Sequence, residues 1–122
     1  IAQSIAHDAH NIVAVGASDE EICAAVNRVI DLQGGIVVVD SNDFTELQLR
    51  IAGIMSDEKA EIIAEKLEKI RTKIRDLGCR LKSPLITLSF IALPVIPKLK
   101  VTDLGLVDVE EFQVVDLFVH QP

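Results

Sequence analysis

Four side chains in one short stretch, His7, Asp8, His10 and Asn11, concentrate the groups of this sequence that can move protons or bind a metal. An imidazole exchanges a proton or ligates a metal near neutral pH, and an adjacent carboxylate can fix its tautomer. Spacing decides what they can do together. Residues three apart on an extended strand point to opposite faces, so His7 and His10 reach one metal only where the backbone turns or coils between them. A zinc site takes three or four protein ligands. The remaining histidine, His120, stands at the far end of the chain, so a self-contained metal site is not expected. The competing structural account makes the four residues a polar strand end that hydrogen-bonds a neighbouring loop.

Other chemistry is thinly represented. Ser4, Ser83 and Ser89 have no G-x-S-x-G setting and no evident base, which disfavours a serine nucleophile. Asp40, Asp43, Asp57 and Glu58 fall at expected turn and cap positions, where local hydrogen bonding accounts for them. Gly34, Gly35 and Gly53 fit neither of the glycine-rich phosphate-binding patterns. Cys23 and Cys79 are far apart and have apolar neighbours, the setting of buried free thiols in a reducing compartment.

The elements that position the polar stretch can be traced from the pattern around it. The run over residues 12–15 is apolar and closed by Gly16, which predicts a buried strand. Ser18 and Glu21 form an S-x-x-E capping box, so a helix should begin at Asp19, turn Ile22, Cys23, Val26, Val29 and Ile30 inward, and end at Gly34 and Gly35. Residues 36–39 are continuously apolar, as in a strand covered on both faces. The resulting β-α-β unit favours parallel pairing of its two strands, with a longer partner strand between them as the alternative.

Ser41, Asn42 and Asp43 predict a turn and residues 44–50 a returning strand. A long helix is expected from Ser56, with Asp57 and Glu58 in its first turn. Its inward stripe is Ala60, Ile63, Leu67, Ile70, Ile74 and Leu77, Glu65 and Lys69 pair outside, and Gly78 stops it. Packing within the chain is favoured over a coiled-coil seam. Ser83-Pro84 starts a short helix over residues 85–92 that Pro94 stops, and its apolar composition implies deep burial or an interface. Strands over 98–102 and 113–119 bracket a turn at Asp103-Leu104-Gly105 and the polar stretch 108–111. The expected fold class is α/β, with α+β as the alternative: one domain over residues 1–122, its mixed sheet covered by two main helices and one short apolar helix.

With 122 residues, 49% of them hydrophobic, the chain suffices for one core. Twelve basic against nineteen acidic residues give a net charge of −7, which repels nucleic acid and anionic membrane surfaces. The basic residues over 66–82 alternate with Glu68 and Asp76, as on a solvated helix face. The longest apolar run, 85–96, is interrupted by Thr87, Ser89 and Pro94 and is too short to cross a bilayer. The chain opens on Ile1 without a basic n-region and cleavage site, so no signal peptide is expected and a piece of a longer polypeptide is.

Several segments, in this order and spacing, resemble the carboxyl-terminal domain of prokaryotic adenine deaminases, in the amidohydrolase superfamily. They are residues 4–16 (S-I-A-H-D-A-H-N-I-V-A-V-G), 34–39 (G-G-I-V-V-V), 51–57 (I-A-G-I-M-S-D), 77–79 (L-G-C), 84–97 (P-L-I-T-L-S-F-I-A-L-P-V-I-P) and 106–109 (L-V-D-V). The first and the fifth carry most of the weight.

The resemblance implies a parent hydrolase that converts adenine to hypoxanthine and ammonia with a metal-activated hydroxide, in cytoplasmic purine salvage and adenine catabolism. Its divalent metal (manganese, iron or zinc) would sit in a (β/α)-barrel amino-terminal to this domain in the same polypeptide. The barrel's HxH motif has no counterpart here, so no metal ligand is assigned to this chain and the isolated fragment is expected to be inactive. His7, Asp8, His10 and Asn11 are its candidates to face the parent's active site. The implied partners are that barrel and adenine, with no nucleic acid, no membrane, and homo-oligomerisation left open. The alternative is a free-standing α/β binding or interaction module without catalysis.

Overall fold

The computed structural model describes residues 1–41 and 43–118. It is an α/β domain with three helices, built around the valine-rich strand that the sequence marks as buried on both sides. Four strands form the first sheet: β1 (Ala2–Gln3), β2 (Val13–Ala14), β3 (Gly35–Asp40) and β4 (Asp43–Gln48), in the order β2-β1-β3-β4. Side chains alternate across a strand, and β3 uses both faces. Ile36 and Val38, with Leu47 and Leu49, pack on Ile70 and Ile74 of α2 (Ala60–Asp76). Val37 and Val39, with Ala2, pack on Ala25 and Val29 of α1 (Asp19–Asp31). The sheet is thus the middle layer between two helices.

Among the described residues every ladder is antiparallel, which corrects the expected parallel pairing. β1 pairs antiparallel with both β2 and β3. The strands flanking α1 therefore run in the same direction, as the crossover requires, but the amino-terminal strand lies between them. The run over 12–15 is less buried than expected as well. Only Val13 and Ala14 pair, both half-buried, while Val15 is 51% exposed, because β2 is an edge strand with one neighbour.

α1 begins where the capping box places it: the Ser18 side chain accepts from the Glu21 N–H at 3.3 Å. Its buried arc centres on Ala25 and Val29, with Ile22 and Val26 half-buried beside it. Cys23 and Ile30, expected inward, lie about a third of a turn further round the helix and are exposed. Two ties fix α1 to β4: the Arg28 guanidinium donates to both Glu46 carboxylate oxygens at 2.7 Å, and Gln48 Nε2 donates to Leu32 O at 2.9 Å.

The hairpin β3–β4 matches expectation, and its turn is tied to α2 by Lys73 Nζ, 2.7 Å from Asp40 and 3.5 Å from Asp43. α2 starts four residues later than Ser56. The Ser56 hydroxyl accepts from the Glu58 N–H, only two residues on, closing a local turn of the kind that competes with helix. Glu58 holds Lys66 Nζ through both oxygens instead of lying in the first turn. Ile63, Leu67, Ile70 and Ile74 of the expected stripe face the core, whereas the terminal Ala60 and Leu77 are exposed. Gly78, at φ +93°, ends the helix.

α3 (Pro84–Ile91) has proline in its first turn, but the Ser83 side chain caps nothing; Thr87 bonds Ser83 O through both its N–H and its hydroxyl. Leu88 and Ser89 are buried, while Ile86 is 60% exposed, so this apolar helix is covered on one side only. The carboxyl-terminal region forms a second sheet of three strands rather than two: β5 (Leu99–Thr102), β6 (Gly105–Asp108) and β7 (Gln113–Val115), in that order. The missed strand β6 has only Leu106 and Val107 as an apolar signal. Val119, the end of the last expected strand, and His120 lie outside the described residues. Among the described residues, no helix is long and apolar enough to cross a membrane.

Candidate functional site

The polar stretch is separated from β1 by three residues and forms a coiled turn rather than a strand end. The His10 N–H donates to Ala6 O and the Ala9 N–H to His7 O, each at 3.1 Å. Asp8 at φ +73° and His10 at φ +48° occupy the left-handed region, which aspartate and histidine enter more readily than most residues. The coil removes the opposite-face restriction that an extended strand would impose on His7 and His10.

The turn is anchored beneath. Ala6 is fully buried, the His7 N–H donates to Ser89 O at 3.2 Å, and the His7 ring stacks on Phe90 with centroids 4.6 Å apart. Ser89, buried, also donates its hydroxyl to Ile86 O. Gln3, in β1, sends Nε2 to Ile5 O and Leu85 O at 2.6 and 3.1 Å, pinning the start of α3 to the sheet. Its Oε1 is buried and without a hydrogen-bond partner among the described residues.

Above this base the four predicted residues come together as one exposed surface. His7, Asp8, His10 and Asn11 are all exposed, and none of their side chains hydrogen-bonds a described residue. The expected alternative, a polar strand end bonded to a neighbouring loop, therefore fails on the side chains; only the backbone is held. Among the described residues no three metal-ligating side chains gather.

Close behind the turn, the sequence's scattered glycines form a junction. The Ser4 hydroxyl accepts from the Gly35 N–H at 2.8 Å and donates to Gly53 O. A Cβ on Gly34 would stand 2.3 Å from Gly53 Cα. Gln3, Ser4, Ser89 and Phe90 are the supporting residues that sequence reasoning missed. Ser4, Ser89 and Phe90 do lie in the two heaviest family-like segments, and in the fold those segments touch at the His7–Phe90 stack.

The profile of the family described as the adenine deaminase C-terminal domain matches residues 1–113. The chain belongs to that family. It is 74% identical over 117 residues to an adenine deaminase of Archaeoglobus fulgidus, covering 96% of this chain and 21% of that protein. It is 53% identical to one of Brucella abortus, over 94% of this chain and 20% of that protein. An adenine deaminase of Methanosarcina barkeri is 49% identical over 97% of this chain, which spans 21% of it. No solved structure matches. The chain thus spans about one-fifth of the length of these relatives.

Proposed function

We propose that this chain is the carboxyl-terminal domain of an enzyme that hydrolyses adenine to hypoxanthine and ammonia, and that its turn of His7, Asp8, His10 and Asn11 faces that enzyme's active site. The single observation that carries the second part is the contrast within the turn. Its backbone is fixed by bonds to Ala6 and Ser89 and by the Phe90 stack, while its four side chains bond no described residue. A scaffold needs the first arrangement but not the second; a functional surface needs both.

The divalent metal and the hydroxide it activates would be supplied by the amino-terminal part of the polypeptide. The role left to this chain is to present proton-exchanging and hydrogen-bonding groups at the rim of the site, where they can orient adenine or screen it from water. The two free cysteines suit a cytoplasmic purine-salvage enzyme.

In the full-length enzyme, His7→Ala and His10→Ala should each lower turnover by about tenfold or more, roughly 1.4 kcal/mol of transition-state stabilisation, with metal content and unfolding midpoint near those of the parent. Full turnover in both variants would return the turn to the scaffold.

A further inference from the structure

The two sheets turn one edge each toward a common groove. β2 is an edge of the first sheet and β5 of the second, and α3 contacts both. The space between them is about 500 Å³, walled by Ile12 and Val15 around β2, Leu88 and Ile91 on α3, and Val101 on β5. Val15, Ile91 and Val101 are 51%, 41% and 54% exposed. Asn11 also lines the groove, so it begins where the polar turn ends. Strand edges beside uncovered apolar side chains invite pairing and are normally covered.

We propose that this groove seats an extended, apolar segment of the polypeptide amino-terminal to Ile1, in the same molecule; this rests on the assignment of the chain to the carboxyl-terminal part of a longer deaminase. Two observations select that occupant. The matched segment is 21% of the Archaeoglobus fulgidus relative, which leaves about four-fifths of that polypeptide outside it. The Ile1 nitrogen donates to Val15 O at 2.8 Å and the Val15 N–H to Ile1 O at 2.9 Å. Polypeptide joined to Ile1 therefore arrives beside Val15, a residue of the groove wall, and needs only to pass the end of β2 to reach its free edge. An extended segment suits the shape, since its backbone can add to a strand edge while alternate side chains enter the apolar walls. Seated there, it would fix the amino-terminal part next to the turn of His7 to Asn11.

The test uses the full-length polypeptide with Ile91→Cys, Val101→Cys or, as a milder probe of the same wall, Thr102→Cys. Thiol labelling at each site is timed in the native protein and in denaturant. A cross-linker on the same cysteine, applied to a mixture of ¹⁵N-labelled and unlabelled protein, identifies what lies opposite. Protection of at least about a hundredfold, with cross-links to amino-terminal peptides of the same molecule, is the expected result. Labelling at the denatured rate, or cross-links confined to pairs of differently labelled molecules, would overturn the proposal; the second outcome would make the groove a seat for another copy. Adenine deamination is followed on the same samples. Full activity with an unprotected groove removes the docking proposal alone, and a protected groove in a protein that does not act on adenine removes the deaminase assignment alone.

Discussion

The imidazole of His7 lies on the ring of Phe90 at an interplanar angle of 27°, joining the polar turn to α3 across more than eighty residues of sequence. Stacked rings at this separation attract beyond the area they bury. Because Phe90 is half-buried, Phe90→Ala should cost about 1–3 kcal/mol, less than the 3–5 expected of a fully buried phenylalanine. Chemical denaturation measures it. Phe90→Leu should keep most of that stability and, in the full-length enzyme, lose turnover through a freed His7 ring; unchanged turnover would show that the stack orients nothing.

Gly34 is fixed by both conformation and space. Its φ is +119°, and a Cβ there would collide with the Gly53 backbone at 2.3 Å. Gly34→Ala should therefore destabilise the domain by clearly more than about 1 kcal/mol, as read from the midpoint of unfolding. Gly78→Ala makes the comparison: its φ of +93° is also unfavourable, but nothing stands within 4 Å of the added Cβ. A smaller loss at Gly34 than at Gly78 would mean that the junction with Gly53 yields easily.

Arg28 and Glu46 make the pair with a pH signature. The hydrogen bond from Arg28 holds the Glu46 carboxyl below its ordinary value of 4.5, against a smaller opposing effect of burial. A carboxyl lowered by folding stabilises the native state above its unfolded value, and that contribution fades as pH falls through the folded value. Glu46→Gln should thus be less stable than the parent at pH 7, with the difference shrinking below about pH 4.5. A difference that stayed constant down to acid denaturation would assign the loss to packing instead of charge.

The legible parts of this fold were those governed by local rules. The Ser18 capping box, the all-apolar β3, the inward Ile63, Leu67, Ile70 and Ile74, and the Ser41 turn each follow from a few adjacent residues. Misplaced features depended on distant partners. β1 is two residues long and carries no pattern of its own, yet its insertion between β2 and β3 replaces their direct parallel pairing with two antiparallel ladders. Cys23 and Ile30 are apolar enough for a core but lie beyond the arc that the sheet covers. At the site, residue type alone picked out His7, Asp8, His10 and Asn11 as a group. Their left-handed turn and its seat on Ser89 and Phe90 were invisible, because His7 and α3 meet only in the folded chain.

The most direct measurement is the conversion of adenine to hypoxanthine by the full-length polypeptide, metal-loaded, beside residues 1–122 alone, with circular dichroism confirming that the shorter chain is folded. The account predicts steady turnover by the full-length protein and none by the folded domain under the same metal supply. Turnover by the domain alone, or a metal-replete full-length protein inert toward adenine, would contradict it.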